Sequence, residues 1–426
     1  MKKFGLMGGR VLRSAGILLV FWLVTLLLAP AHVQSFSHGQ MTAYVGAKVY
    51  PAPDAEPIDN ATILVEDGRL LAVGKRSIVA VPKGTRIVRC EGLTAVAGLW
   101  NSHVHLYKPQ WLQADSGPAE RLSSQFRDTF LRYGFVHVVD LGSLLQNTLT
   151  LRKRVESGEV KGPDILTAGE PLYPQGGIPE AAKAFHLPQA STPAEAAAWA
   201  EKHLADGADL LKLFTAAGYT GPVVVMPPDV IRAVVKVAHA HGKLVFAHPQ
   251  DGAGWQVALA GGVDVLAHTP DNSADNNSGL LQTLAAHGTV VIPTLKLWGV
   301  DVDPKDRDRV VANGVSEIHA FNGLGGDIVF GTDIGYIDDA DPTEEYLLMA
   351  RSGMTFPQIL ASLTTRPARL FGVERRTGRI APGFDADVVF LEGDPALNVV
   401  NFAKARLVLL RGSTLYDNSA SSASHN

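Results

Sequence analysis

Cysteine is almost absent from the 426 residues: Cys90 is the only one, so no intrachain disulfide can form. Charge is modest as well, at 19% of residues, with 38 lysines and arginines against 42 aspartates and glutamates. A chain of this composition is neither a disordered polyelectrolyte nor a coiled coil, and 46% apolar residues are enough for a large core. Long hydrophobic runs are missing beyond the N-terminus. The one near the start, Ala15 to Leu28, is short for a bilayer span of about 20 residues. It follows Lys2, Lys3, Arg10 and Arg13 and ends in Ala29-Pro30-Ala31, the order of a secretory signal peptide over residues 1–31. No cysteine follows it, which argues against a lipoprotein anchor. Cleavage would remove four basic residues and no acidic ones, leaving a formal charge near −8. A mildly acidic, exported protein, periplasmic or secreted, is a poor partner for nucleic acid. Membrane contact is then expected only through the signal segment.

What the chain does have is alternation. From residue 96 to 372, short Val/Ile/Leu-rich runs alternate with amphipathic stretches. The runs are Leu93–Val104, Phe135–Leu141, Asp164–Ala168, Asp209–Thr215, Lys243–Ala247, Val263–Ala267, Thr289–Thr294 and Asp327–Thr332. Eight strands separated by helices imply parallel pairing, because each crossover needs a helix. The length suits an α/β fold of the (β/α)8 TIM-barrel type, for which roughly 250 residues is typical. An open doubly wound sheet is the alternative. The flanks, 42–95 and 373–417, carry short alternating strands and the hairpin signal Asp67-Gly68. Neither flank can bury a core alone, so both chain ends are expected to build one small β-sandwich. The Ser-rich tail from Asn418 is expected to be unordered.

Six residues stand near the ends of the apolar runs: His103, His105, Lys212, His248, His268 and Asp333. His103 and His105 are two apart on a strand, hence on one side of it, and both imidazoles can grip one cation. Lys212, inside Leu210-Leu211-Lys212-Leu213-Phe214, is costly to bury charged. Burial depresses its pKa and leaves an amine able to add carbon dioxide; a snorkelling or ion-paired lysine is the bland alternative. His248 and His268 each follow a strand and can serve a second cation, or be core histidines. Asp333, in Gly331-Thr332-Asp333, can touch metal and receive a proton, or merely cap a turn. The remaining histidines, His137 within the second strand among them, are assigned no chemistry.

Taken together with Gly98-Leu99-Trp100-Asn101-Ser102-His103-Val104-His105 and the returning segment Gly378 to Val389, these residues resemble the amidohydrolase superfamily. The likeness, from about Asn60 to Tyr416, is to its imidazolonepropionase-like branch, which includes prolidase-type dipeptidases. The resemblance implies a binuclear site, commonly zinc. His103, His105 and Asp333 would bind one metal, His248 and His268 the other, and carbamylated Lys212 would bridge them. Three positions depart from the family pattern: Asn101-Ser102 replaces the usual Asp, Ala267 stands where relatives often carry Glu, and no His follows Gly176-Gly177.

The expected activity is hydrolysis of an amide C–N bond by a metal-bridging hydroxide, with Asp333 shuttling the proton. The expected substrate is a small molecule, a dipeptide or N-acyl amino acid. A lactonase or phosphotriesterase on the same two metals, a mononuclear cyclic-amide hydrolase, and a non-catalytic binding module are the rivals. Tyr107, Trp111, Tyr173, Tyr219, Trp298 and Tyr336 lie in the connections after the strands and are expected to line an aromatic pocket. Lys108, Lys183 or Lys296 would meet a substrate carboxylate. A homo-oligomer is compatible with all of this.

Overall fold

Parallel pairing organises the middle of the chain. The computed structural model describes residues 41–178, 186–218, 222–270, 278–300 and 302–419. The expected signal segment, Lys183, Tyr219 and the end of the Ser-rich tail fall outside them. Three parallel strands form one sheet: β1 (Leu99–Val104), β2 (Phe135–Asp140) and β3 (Asp164–Thr167). Four more form a second: β4 (Leu211–Phe214), β5 (Val245–His248), β6 (Val265–Ala267) and β7 (Val290–Ile292). Backbone bonds from Asp209 N to Thr167 O and from Leu172 N to Lys212 O join β3 to β4.

The eighth expected strand, Asp327–Thr332, does not form a continuous ladder. Val329 N donates to Val291 O and Thr332 N to His103 O, but Phe330 N turns away to Ser362 O. The segment thus bonds to β7 on one side and β1 on the other without the regular repeat. Gly331 permits the close passage: a Cβ there would lie 2.5 Å from Ile292 Cγ2 and 2.8 Å from His103 Cβ.

The sequence run Leu93–Val104 is two strands, Leu93–Ala97 and β1, divided at Gly98, whose N–H bonds to Asp387 O. Leu93–Ala97 belongs to a five-stranded sheet with Lys48–Val49, Val388–Glu392, Ala405–Leu410 and Ser413–Asp417, drawn from both ends of the chain. A four-stranded sheet of Thr42–Val45, Ala61–Glu66, Arg69–Lys75 and Arg86–Arg89 contributes to the same apolar cluster, with Tyr44, Ile63 and Leu70 meeting Ala95, Val388 and Phe390. Inside the parallel strands sits a separate layer of Trp100, Val139, Phe246, Val265 and Ile292. The helices bury their apolar faces on the strands' outer side in the largest cluster. No helix among the described residues is long and apolar enough to cross a membrane.

Candidate metal centre

Five of the six singled-out residues lie at or beside the C-terminal ends of parallel segments, and Lys212 lies inside one. His103 closes β1, and His105 follows it; Lys212 is within β4, and His248 ends β5. His268 follows β6, and Asp333 follows the eighth segment. Their side chains converge. One oxygen of Asp333, Oδ1, lies 3.2 Å from His103 Nε2 and 2.8 Å from His105 Nε2. The His103 and His268 rings are 4.7 Å apart, as are those of His248 and His268. Donor atoms of His103, His268 and Asp333 fall within 4.8 Å of one another, close enough for one cation. That trio draws on both metal sets implied by the resemblance.

The electrostatics suit ligation. Burial, then Lys212 and His105, push the His103 imidazole down to about 3 against the pull of Asp333. Burial does the same to His248, also to about 3, and drives His268 well below its usual value. These rings are therefore neutral, with a lone pair free for a metal. For Asp333, burial works upward, but His103 and His105 overrule it and hold the carboxyl well below the ordinary range. Lys212 is 2% exposed and its Nζ has no hydrogen-bond partner among the described residues. Burial lowers its amine to about 7 although Asp333 opposes the shift. His103 Nδ1 is likewise buried without a partner. Buried polar atoms left unpaired are costly, on the order of 1–3 kcal/mol each. Neutral imidazoles beside an ionised carboxylate are a donor set that a divalent cation accepts.

The backbone is strained where the site is built. Gln250, His268, Thr294 and Asp333 all have positive φ, at 57°, 78°, 43° and 59°. Such conformations are uncommon for residues with a side chain and concentrate at functional sites. Gly335, at φ 102°, passes so close beneath His105 that a Cβ would lie 2.1 Å from its carbonyl oxygen.

Residues outside the six orient them. His268 Nδ1 is 2.6 Å from Thr294 Oγ1, and His105 Nδ1 is 3.1 Å from Gly142 O. Asn101 sends Nδ2–H to Thr332 Oγ1 at 2.7 Å, while its Oδ1 accepts from Thr332 N at 3.2 Å. Asp140, fully buried, accepts from Ser143 Oγ, Thr148 Oγ1 and Thr167 Oγ1, and from Leu106 N, and so fixes the connection behind His105. Sequence reading passed over Asp140 and Thr294. The only available signal was a polar group ending an apolar run.

The expected aromatic pocket is partly corrected. Trp111 is buried in the core against Phe126 and Phe130, because its connection folds back onto the first helix. Trp298 is buried too, donating Nε1–H to Thr269 Oγ1 at 2.9 Å with its ring edge-on to His268. Tyr107 and Tyr173 do flank the centre. The Tyr107 ring is 5.7 Å from His105, and Tyr173 stacks on Phe214, which stacks on His248. Burial, with Asp333 and Asp338 behind it, pushes the Tyr107 phenol up to about 12. The two described lysines expected to meet a substrate carboxylate are already paired, Lys108 with Asp338 and Lys296 with Asp339.

A cavity of about 590 Å³ lies at the N-terminal ends of β1, β2 and β3, around Trp100, His137, Asp164 and Arg411. It contains none of the six residues. Its charged groups are mutually paired, Arg411 with Asp164 and Arg152 with Asp209, so we read it as a structural seam rather than the reaction site.

Known proteins share the fold. Ochratoxinase of Aspergillus niger is 22% identical over 432 residues, covering 89% of this chain and 87% of the enzyme. The crystal structure of A. niger ochratoxinase superposes with a TM-score of 0.74 at 19% identity, covering 90% of this chain and 97% of that one. A Xaa-Pro dipeptidase solved with methionine in its active site gives 0.76 at 21% identity, covering 89% and 100%. The model of the Amidohydrolase family matches residues 94–413, which takes in every residue of the centre. The chain belongs to the amidohydrolase family.

Proposed function

We propose that the protein is a metal-dependent hydrolase that cleaves the amide C–N bond of a small molecule. The observation that carries this reading is the buried, unpartnered Lys212 amine among three neutral imidazoles and one ionised carboxylate. In this reading a (β/α)8 barrel carries the site, beside a β-sandwich made from both chain ends. His103, His105 and Asp333 hold one divalent cation, and His248 and His268 hold the other. Lys212, as its carbamate, would be a ligand shared by the two, and zinc is the expected metal. Two such cations, when bound, supply hydroxide near neutral pH and polarise the scissile carbonyl.

The chain's own residues do the rest. Asp333 Oδ1 takes the proton from the nucleophile and returns it to the leaving nitrogen. Thr294 and the Gly142 carbonyl fix the ring orientations of His268 and His105. A dipeptide or N-acyl amino acid is the first substrate class to assay, in keeping with a dipeptidase and ochratoxinase among the similar proteins. Export of the chain after loss of residues 1–31 belongs to the same proposal.

The first test is metal content of the purified protein by plasma mass spectrometry, beside Lys212→Ala. Close to two metals per chain, dropping in the variant, is the expected result. One metal, insensitive to the substitution, would point to a mononuclear enzyme instead. In the metal-loaded protein Asp333→Asn should depress kcat by about 100-fold or more on any amide that is cleaved. Turnover retained within a few-fold would remove Asp333 from the proton path.

A further inference from the structure

Resting on the hydrolase reading for its effect on metal, we propose that Glu345 is a positioning residue: it sets the ring of His268 by holding the turn that follows β7. Glu345 is a buried ionisable group outside the ligand set. It is 0% exposed and lies in the first turn of the helix Thr343–Arg351. Its Oε2 accepts from the backbone N–H of Lys296 at 2.8 Å, 49 positions back in the chain. Burial pushes the carboxyl up to about 7 against the pull of the Lys296 and Leu295 N–H groups. A carboxyl is a costly way to fill interior space, so the bond it makes is the feature to explain.

The turn it holds, Leu295–Gly299, touches His268 at two points. Thr294, which opens it, has Oγ1 2.6 Å from His268 Nδ1, and Trp298 lies edge-on to the imidazole with ring centres 6.2 Å apart. The Thr294 hydroxyl donates to Pro293 O at 2.8 Å, so its oxygen is left to accept from the Nδ1–H of His268. The other ring nitrogen, Nε2, thus keeps its lone pair for a cation. A β-branched residue at φ 43° does not hold that backbone by preference. Its surroundings must impose it, and Glu345 grips the chain two residues on.

The grip is reciprocal. Lys296 sends its buried side chain to the connection that leads into Glu345, donating to Asp339 Oδ2 at 2.8 Å and to the carbonyls of Asp339 and Asp341 at 3.2 and 2.6 Å. That connection begins at Asp333. Next to Glu345, the fully buried Tyr346 stacks on Phe330 of the eighth segment at 4.9 Å. The helix is therefore anchored on the segment that carries Asp333, and through Glu345 it fixes the turn that supports His268. One carboxyl keeps two candidate ligands from different segments in register.

The test uses Glu345→Leu, which keeps the bulk and removes the acceptor, and Glu345→Gln, which keeps an acceptor. In the metal-free protein, isotope-labelled at histidine, long-range proton–nitrogen correlation reads which ring nitrogen of His268 carries the proton. Loss of the signal in His268→Gln identifies it. Wild type and Glu345→Gln should hold the Nδ1–H form, and Glu345→Leu should mix the two forms. Competition for zinc with a chromophoric chelator should show an affinity loss of about tenfold or more in Glu345→Leu, and of less than about threefold in Glu345→Gln. Added to Thr294→Val, Glu345→Leu should cost less than about a further twofold, because both act on one contact. Should Glu345→Leu not fold, Glu345→Asp, a methylene shorter, carries the same expectations. A His268 ring unmoved by the loss of the acceptor, or zinc losses that simply multiply with Thr294→Val, overturns the proposal. If the wild type binds no zinc while its His268 ring still responds to Glu345→Leu, the metal reading falls and the positioning role stands.

Discussion

At the scale of single residues, the site depends on side chains that never touch a reacting atom. Thr294 is the sharpest case. It sits fully buried in a left-handed conformation and places Oγ1 2.6 Å from His268 Nδ1. That contact fixes which imidazole nitrogen carries the proton and which faces the cation. Thr294→Val keeps the shape and removes the hydroxyl, so metal affinity should fall by about 10- to 100-fold, as read by competition with a chromophoric chelator. An unchanged affinity would mean that packing alone orients the ring. Such supporting residues were poorly legible in the sequence. His103-Val104-His105 announces itself by spacing, and Lys212 by its charge within an apolar run. A threonine at a strand end is ordinary, and only the fold brings it to the ring of a residue 26 positions away.

At the scale of elements, the first and eighth segments of the parallel array are coupled through polar side chains. The Asn101 amide and Thr332 exchange two hydrogen bonds with both residues buried. Thr332→Val would strand the Asn101 N–H donors in the interior, at a cost of about 1–3 kcal/mol. Urea unfolding of the metal-free protein checks this, with Thr332→Ser as the control that restores the bond. The same scale shows where sequence periodicity succeeds and fails. The apolar spacing from Pro228 to His241 predicts a helix, and the structure has one at Pro228–Ala240. Two helices leave no such pattern. Gly252–Gly261 is rich in glycine and alanine and nearly uniform around its axis, and Thr343–Arg351 is short and opens on charged residues that read as loop. The run Phe356–Phe371 reads as one helix but breaks at Thr364. Pro367, with no N–H to give, cannot continue the ladder back to Leu363. The ion pair of Lys108 with Asp338 joins residues 230 positions apart and leaves no local trace.

At the scale of the whole molecule, a buried ion cluster lies on the face opposite the metal centre. His137 stands between Asp164 and Asp387, each 3.4 Å away, with Thr377 Oγ1 at 3.3 Å and Arg411 bound to Asp164 beyond. Burial works against the imidazolium, but the two carboxylates more than offset it and raise the group to about 9. A histidine raised in the folded state contributes its full stability below the unfolded value of about 6.5 and loses it as pH climbs through about 9. Relative to His137→Asn, the wild type should therefore lose up to about 3 kcal/mol of stability between pH 6.5 and 9.5, followed by thermal melting of both proteins. Equal slopes would mean that the cluster is neutral.

The pairing of Leu93–Ala97 with Val388–Glu392 has a consequence for assembly. The candidate ligands are scattered from residue 103 to 333, and the strand that precedes the first of them has only the short Lys48–Val49 beside it until Val388–Glu392 is available. A nascent chain therefore has no preformed cage to offer a cation. Metal capture waits for the finished polypeptide, in whatever compartment it folds. An imidazole and carboxylate set binds several first-row divalent ions, so the metal supply of that compartment, as much as the ligands themselves, selects which ion the protein carries.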